Sequence, residues 1–285
     1  MRRPLFALSA LALSLPVAIS LPTPVEARDS VTDAQAMAAV LANPARDGDR
    51  ARDKFRHPAE TLAFFRIHPG MTVVDFMPSG GWFTRVLVPY LGEKGRYIGL
   101  NPDVRNQSDN WKRTYSDAHQ TFPAKAQGWF AGMGGLAPID AWNSNDLPGE
   151  LSGQVDRVII MREVHNLWRL DILRKELTAI HGLLKADGLL GIEEHRAKDN
   201  APVAYLDGSK GYMRSADVIA LVEACGFELV AKSEVNANSK DPANHPRGVW
   251  MLPPNLSGVT DPAEKARLTA IGESDRMTLL FRKRP

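Results

Sequence analysis

The sequence predicts an α/β protein with a doubly wound, mostly parallel seven-stranded sheet, and three observations support this fold class. Short apolar runs rich in β-branched residues alternate with amphipathic helical stretches through residues 71–235. The first apolar run, residues 72–77, ends in Pro-Ser-Gly-Gly. The helical stretch after this turn is closed by Gly92. A strand, glycine turn and helix in this order leave free N–H groups facing an anionic ligand.

The other elements follow in a regular order along the chain. Further strands are predicted at residues 97–100, 138–143, 155–161, 189–193, 227–235 and 277–282. A crossover helix is predicted at residues 111–126, and a turn at residues 186–188. Leu173, Leu177, Ile180 and Leu184 form one helical stripe, and Ser215 is a candidate N-cap for the last helix of this zone. A sheet of this kind binds its ligand at the carboxyl ends of the strands.

A helical extension, residues 28–70, precedes the α/β domain, residues 71–285. Its predicted helices lie at residues 32–41, 44–55 and 58–65, where Pro44 and Pro58 suit first-turn positions. Basic residues alternate through residues 50–56, a pattern that is more often a solvent-exposed face than an anion site. They are Arg50, Arg52, Lys54 and Arg56.

Residues 236–276 are rich in Asn, Pro, Asp and Gly and lack a helical or strand period, so an irregular insertion is expected before the last strand. A structureless segment of this length inside a compact domain is usually either functional or disordered. Trp250 and Pro253-Pro254 favour ordered docking. We therefore expect this insertion to form a lid over the crevice.

Residues 1–27 have the features of an export signal. Arg2 and Arg3 precede an apolar run at residues 5–21, and Val25-Glu26-Ala27 offers small residues at the positions that a signal peptidase requires. The alternative, a membrane anchor, is disfavoured because the run is short and prolines lie within and after it. The expected location of the mature protein is the periplasm.

The charge balance argues against two classes of partner. The formal net charge of the chain is +2 at pH 7. A balance this close to neutrality gives no reason to expect nucleic acid or an anionic membrane surface as a partner. A small-molecule substrate is compatible with this balance, and the sequence leaves the oligomeric state open.

Several motifs resemble known proteins. Three segments are similar to the class I methyltransferases that use S-adenosylmethionine: Val73-Val74-Asp75, Val155-Asp156-Arg157-Val158 and Leu184-Lys185-Ala186-Asp187-Gly188-Leu189. A narrower set resembles a family of predicted exported bacterial methyltransferases: residues 57–61, the Pro-x-Gly-Gly-Trp turn, residues 164–166, residues 245–250 and residues 271–276. The resemblance covers roughly residues 44–283. It also implies that the last two strands form an antiparallel hairpin at the edge of the sheet.

The resemblance implies S-adenosylmethionine as the cofactor and assigns residues to it. The glycine turn and the acidic residue before it would hold the methionine half: Asp75, Pro78, Ser79, Gly80, Gly81 and Trp82. Asn101 would hydrogen-bond the ribose, and Asn143 would lie near the adenine. Arg162 and Glu163 would face the sulfonium.

The glycine turn departs from the usual pattern, an acidic residue followed by Gly at three alternate positions. Met77 and Ser79 replace two of the three glycines, and Pro78 removes a backbone N–H group from the turn. Asn101 replaces the usual acidic residue, so it can bond a ribose hydroxyl group but brings no charge.

Methyl transfer from a sulfonium needs in-line alignment, and it needs a base when the acceptor is an O–H or N–H group. His165, expected at the tip of the fourth strand, is the first candidate base because its ordinary pKa lies near neutrality. Asn166 beside it would orient the substrate. His195, with Glu194, occupies the matching place after the fifth strand and is the second candidate.

Two alternatives stay open beside methyl transfer. The first is an exported ligand-binding protein that reuses this fold, which the replaced glycines and the export signal favour. The second is a metal-dependent hydrolase built from histidines and glutamates near strand ends: His57, His165, His195, His245, Glu163, Glu193 and Glu194. None of these residues shows a metal-ligand spacing, so no metal site is predicted.

Overall fold

A computed structural model describes residues 24–284, and one seven-stranded sheet forms its centre. The strands are β1 (Thr72–Phe76), β2 (Arg96–Asn101), β3 (Ile139–Asn143), β4 (Val155–Met161), β5 (Leu184–His195), β6 (Phe227–Ser233) and β7 (Arg276–Lys283). Their order across the sheet is β3-β2-β1-β4-β5-β7-β6. The pairs from β3 to β5 are parallel, and β7 runs antiparallel to both β5 and β6. The predicted fold class and the edge hairpin are confirmed.

Helices flank this sheet on both faces. The α-helices are α1 (Pro24–Leu41), α2 (Asp53–Arg56), α3 (Pro58–Phe64), α4 (Thr84–Leu91), α5 (Asp109–Tyr115), α6 (Ala118–Trp129), α7 (Val164–Arg169), α8 (Leu173–Leu183), α9 (Ser215–Glu223) and α10 (Pro262–Ile271). Short 3-10 helices lie at Pro44–Arg46, Arg50–Arg52, Gly149–Leu151, Val203–Tyr205 and Gly248–Met251. Among the helices of the described residues, none combines the length and the apolar character needed to cross a bilayer.

Two hydrophobic cores divide along the sheet because strand side chains alternate between its faces. Val74 and Phe76 of β1 pack with α8 and α9 on one face. Val73 of the same strand packs with α1, α3, α4 and α6 on the other face. Phe65, which follows α3, is fully buried on this second face. The N-terminal helices are therefore part of the main core.

The chain order creates a crevice beside β1. From β1 the chain first continues to β2 and β3 on one side, and it then returns to β4 on the other side. The connections after β1 and β4 consequently diverge, and a ligand crevice forms at their carboxyl ends. The segments that open onto this point are the glycine turn after β1 and the start of α7 after β4.

The predicted helices needed four corrections. Residues 44–55 form two 3-10 helices and the start of α2, because the Asn43 side chain caps the first turn and Asp47 and Gly48 end it. Residues 111–126 are divided between α5 and α6. Helix α7 was not predicted, since six residues are too few to show a helical period. Ser215 is the first residue of α9 and does not cap it.

Strand β5 begins earlier than predicted. Val155 pairs with Leu184 and Arg157 pairs with Leu189, so the four residues between those β5 positions form a bulge. The predicted turn at residues 186–188 is this bulge, and it does not separate α8 from a later strand start.

The insertion before β7 is more regular than predicted. It contains the 3-10 helix Gly248–Met251 and the ten-residue helix α10. Asp261 caps α10 by accepting hydrogen bonds from the backbone N–H groups of Ala263 and Glu264. The apolar run of the expected export signal lies outside the described residues, and α1 begins at Pro24.

Candidate functional site

Two adjoining cavities occupy the crevice at the carboxyl ends of β1 and β4. The first has a volume of about 280 Å³ and lies on the glycine turn. The second has a volume of about 360 Å³ and lies between α7 and the insertion. Their shared walls are formed by Arg52, Arg56, Ser79, Arg162 and Glu163. The two cavities therefore adjoin each other at these residues.

The glycine turn keeps a left-handed backbone although two glycines are replaced. The φ angles of Met77, Ser79 and Gly81 are +55°, +50° and +74°. A left-handed conformation costs a non-glycine residue about 1 to 2 kcal/mol, so the sequence retains strain at two positions. Such strain persists where the surroundings enforce it and is concentrated at functional sites. The turn thus has a left-handed backbone at these positions even where glycine is replaced.

Asp75 lies at the base of this turn and is almost fully buried. Its Oδ2 accepts a hydrogen bond of 2.9 Å from the Tyr97 hydroxyl group, which lies 2.8 Å from the Thr84 hydroxyl group. Burial raises the pKa of Asp75 to about 7, against the opposing effect of the Tyr97 hydrogen bond. The carboxyl group is therefore partly protonated near neutral pH.

The two predicted asparagines occupy different environments. Asn101, at the end of β2, lines a third cavity of about 470 Å³ that shares Pro78 and Ser79 with the glycine turn. Asn143 pairs with Asn101 across the strands, but it is not among the residues that line this cavity. Its Nδ2 donates to the carbonyl group of Ser116 at 2.8 Å, and its Oδ1 has no partner among residues 24–284. Its role near the adenine stays a prediction.

Arg162 and Glu163 follow β4 and line both crevice cavities. Arg162 has a left-handed backbone with φ of +63°, which turns the chain sharply between β4 and α7. Its Nη1 donates to Oε1 of Glu193 at 3.1 Å. Glu163 accepts a 2.7 Å hydrogen bond from the Asn166 amide group, and burial raises its pKa. Both residues lie where the two cavities meet.

Glu194 holds the backbone and the ring of His165. One carboxylate oxygen accepts the backbone N–H group of His165 at 3.1 Å, and the other lies 3.0 Å from its Nδ1. Helix α7 places His165 in its first turn, where a carboxylate is favoured by the helix dipole. Nε2 of His165 is buried with no partner among the described residues, and the residue lines the second cavity. Glu194 lies behind this ring and positions it, outside the lining of either cavity.

The charge of His165 depends on this carboxylate. Burial alone would lower the pKa of the ring, but the ion pair and the hydrogen bond with Glu194 outweigh burial and raise the pKa above its ordinary value. A raised pKa makes Nε2 a stronger base once its proton is lost. His165, held by Glu194, is therefore the candidate base among the residues that line the second cavity.

His195, the second predicted base, lines the same cavity beside His165. The two ring centroids lie 5.6 Å apart, and Nδ1 of His195 lies 2.5 Å from Oγ of Ser274. Burial, and then the positive charges of His165, Arg162 and other arginines, lowers the pKa of His195 well below its ordinary value. His195 is therefore neutral and serves as a hydrogen-bonding group.

A metal ion is disfavoured at these residues. His165, Glu194 and His195 place donor atoms within 4.8 Å of one another. Both Glu194 oxygens already accept N–H groups, however, and the arginines that depress the pKa of His195 also repel a cation. His57 and His245 bond elsewhere, to Asn236 and Asp241. Of the residues named for the metal alternative, His165, Glu194 and His195 therefore lie together, whereas His57 and His245 are not part of this group.

Four arginines form a network around two buried carboxylates beneath the crevice. Glu273 accepts from Nε of Arg52 at 2.6 Å, from Nε of Arg56 at 3.2 Å and from Nη1 of Arg276 at 2.9 Å. Glu193 pairs with Arg162 and Arg276. Burial opposes the ionisation of Glu273, but the guanidinium groups outweigh burial and lower its pKa to about 2.

The prediction that Arg52 and Arg56 lie on a solvent-exposed helix face is wrong. Arg56 is 4% exposed, its guanidinium group lies 4.7 Å from the ring centroid of Trp82, and both arginines line the crevice. The 3-10 turn at Arg50–Arg52 changes the phase of the chain before α2, so both side chains turn inward. A helical projection of the sequence carries no signal for this change.

The insertion lies against the crevice, as expected of a lid. Its residues Val249, Trp250, Leu252, Pro253, Pro254, Asn255, Glu273 and Ser274 line the second cavity. The Trp250 ring packs edge-on against His165, with centroids 6.0 Å apart. Opening and closing of this segment stay a prediction.

Comparisons with known proteins support the fold. No protein-family model matches the sequence, and a search among curated proteins finds no match. An S-adenosylmethionine-dependent methyltransferase from Aquifex aeolicus is 19% identical over 66% of this chain and 88% of its own, with a TM-score of 0.46. A 1,6-didemethyltoxoflavin-N1-methyltransferase from Burkholderia thailandensis, solved with S-adenosylhomocysteine, is 15% identical over 95% of this chain and 94% of its own, with a TM-score of 0.42.

A third solved structure is the [4+2]-cyclase SpnF, which is 15% identical over 90% of this chain and 95% of its own, with a TM-score of 0.50. The sheet order and this likeness agree with the fold predicted from the sequence, the Rossmann-like fold of class I methyltransferases. Because one of the matched structures is named for a cyclisation, the fold alone does not decide the reaction. The narrower resemblance to exported methyltransferases stays a prediction.

Gly81 and Gly80 offer a matched test of the turn. A Cβ atom on Gly81 would lie 2.2 Å from the Trp129 ring on a left-handed backbone, whereas a Cβ atom on Gly80 would meet nothing within 4 Å. We expect Gly81→Ala to lower the free energy of unfolding by about 2 to 4 kcal/mol. Gly80→Ala should change it by less than about 1 kcal/mol. Urea denaturation of both variants measures the difference, and equal losses would contradict the described geometry of the turn.

Proposed function

We propose that this protein is an S-adenosylmethionine-dependent methyltransferase that acts on an O–H or N–H group of a small molecule. One observation carries the proposal: the cavity on the glycine turn and the cavity that His165 lines share Ser79, Arg162 and Glu163 as walls. A cofactor on the turn and an acceptor beside the base would therefore meet at this boundary. Proximity of this kind is the main requirement for methyl transfer.

The residues around the turn fit the cofactor. Met77, Ser79 and Gly81 keep the backbone conformation that lets a ligand approach the main chain. Asn101, which lines the third cavity, would hydrogen-bond the ribose hydroxyl groups. When bound, S-adenosylmethionine supplies a methyl group that its sulfonium already activates, so the protein needs only to align the acceptor and accept its proton.

His165 would perform the proton transfer. Its Nε2 would take the proton from the acceptor, while Glu194 holds Nδ1–H and stabilises the charged ring. Because the pKa of His165 is raised, the free base forms only as the pH rises through a value above 6.5. Turnover should therefore increase with pH across that value. Asn166, held by Glu163, would orient the acceptor.

We propose export to the periplasm as the compartment of this activity, on the basis of residues 1–27 alone. S-adenosylmethionine is made in the cytoplasm, so activity after export would require a separate supply of cofactor. An exported protein that binds another ligand on this fold is the alternative if the cofactor does not bind.

Cofactor binding is tested directly by isothermal titration with S-adenosylmethionine and S-adenosylhomocysteine. We expect dissociation constants of micromolar order. Asn101→Ala should weaken S-adenosylhomocysteine roughly tenfold through the lost ribose hydrogen bonds. Asn145→Ala, an exposed asparagine of the loop after β3, is the matched control and should bind like the wild type. Failure of the wild type to bind either compound at millimolar concentration would overturn the proposal.

Removing the charge of Glu194 should change the pKa of His165 in a direction that the geometry predicts. This change can be measured without the methyl acceptor. Glu194→Gln removes the charge that favours imidazolium but leaves the burial that disfavours it. The pKa of His165, followed by NMR of labelled histidine rings, should lie above its ordinary value in the wild type and should fall in the variant. His68, whose side chain is 53% exposed, serves as the internal control. An unchanged His165 pKa would remove Glu194 from the mechanism.

A further inference from the structure

Three arginines of the crevice use only part of their hydrogen-bonding capacity. Arg52 and Arg56 each donate through Nε to Glu273, and Arg162 donates through Nη1 to Glu193. Among the described residues, the two other nitrogens of each guanidinium group have no hydrogen-bond partner. All three side chains line both crevice cavities. Their free N–H groups are therefore available to a bound molecule.

Other arginines with structural roles differ in this respect. Arg46 binds both oxygens of Asp53 through Nη1 and Nη2. Arg85 binds both oxygens of Asp49 and also the carbonyl group of Gly80. Arg276 bonds Glu273 and the carbonyl group of Phe55. Each of these side chains uses at least two nitrogens within the protein, whereas the more exposed Arg96 and Arg169 use one, as the crevice arginines do.

The charge of the network is also incomplete. Four guanidinium groups, those of Arg52, Arg56, Arg162 and Arg276, face two carboxylates, those of Glu193 and Glu273. The excess is therefore two positive charges, or one when Glu163, whose charge also acts on Arg162, is ionised. Burial, and then the nearby charge of Arg162, lowers the pKa of Arg56 well below its ordinary value, and the opposing effect of Glu273 is smaller. A bound anion would relieve this imbalance.

The insertion adds apolar side chains to the second cavity. They are Val249, Trp250, Leu252, Pro253 and Pro254, and they lie beside the polar residues Asn255, Glu273 and Ser274 of the same segment. The cavity of about 360 Å³ thus has both cationic and apolar residues in its lining, and it has room for a small molecule. An organic acid matches both kinds of residue, since its anionic group would meet the arginines while its carbon skeleton packs on the insertion.

We propose that Arg52, Arg56 and Arg162 form an anion-binding site that takes the carboxylate or phosphate group of the methyl acceptor. Guanidinium groups suit these anions because two N–H groups can bond two oxygens at once. The assignment of the bound anionic group to the methyl acceptor rests on the proposed function. The anion site itself does not depend on that function. The cofactor also carries a carboxylate, so the test must separate the two sources.

The test titrates the protein with inorganic phosphate, with sodium chloride at equal ionic strength as the control, and follows the midpoint of thermal unfolding. The titration is made on the free protein and on protein saturated with S-adenosylhomocysteine. Phosphate should raise the midpoint saturably in both states, and chloride should not. Arg52→Gln and Arg56→Lys should weaken the phosphate response at least roughly tenfold. Arg174→Gln, an exposed arginine of α8, should respond like the wild type.

The outcomes separate the proposals. An equal phosphate response in the wild type and in both crevice variants, or no response beyond chloride, would overturn the anion site. A response that S-adenosylhomocysteine abolishes would assign the arginines to the cofactor carboxylate and overturn the acceptor assignment. If S-adenosylhomocysteine fails to bind, the proposed function falls, but the titration of the free protein still decides the anion site. Arg56 is buried, so two variants are used. If Arg56→Lys does not fold, Arg52→Gln, which changes the less buried side chain, still tests the anion site.

Discussion

Two buried carboxylates, Glu193 and Glu273, hold the crevice together because they bind arginines from distant parts of the chain. Glu273 joins Arg52 and Arg56 of the N-terminal extension to Arg276 at the start of β7. Glu193 of β5 joins Arg276 to Arg162 after β4. Removing one partner of a buried ion pair leaves an uncompensated charge and typically costs about 3 to 5 kcal/mol. The extension, the sheet and the end of the insertion therefore form one structural unit at the site.

This network sets the electrostatics of the neighbouring groups. The positive charges that hold Glu273 ionised also contribute to keeping His195 neutral. Glu194 compensates the charge of His165 from the other side of the ring. Two adjacent histidines thus have pKa values shifted in opposite directions, which is typical of sites that divide acid, base and binding roles between similar groups. Arg52, Arg56 and Arg162 line the same cavity as His165.

The sequence predicted all seven strands because most of them contain an apolar run between turn signals, as in residues 72–77 and 155–161, but it placed the start of β5 too late. It placed Asn101 correctly at the end of β2, whereas His165 lies in the first turn of α7, a helix that the sequence did not predict. It could not predict the roles of Arg52 and Arg56, since a 3-10 turn changed the phase of the preceding chain. It also could not show that Met77 and Ser79 keep a left-handed backbone, because residue identity gives a preference for φ and tertiary packing enforces the value.

The most direct measurement is a crystal structure of the protein grown with S-adenosylhomocysteine. We expect the homocysteine portion to lie on the turn Pro78 to Trp82 and the ribose to lie at Asn101. The sulfur should lie where Ser79, Arg162 and Glu163 separate the two cavities, facing His165 Nε2. The claim that the crevice binds the cofactor would be contradicted if the compound bound elsewhere, for example in the apolar groove between α1 and α3, or if millimolar compound left the crevice empty.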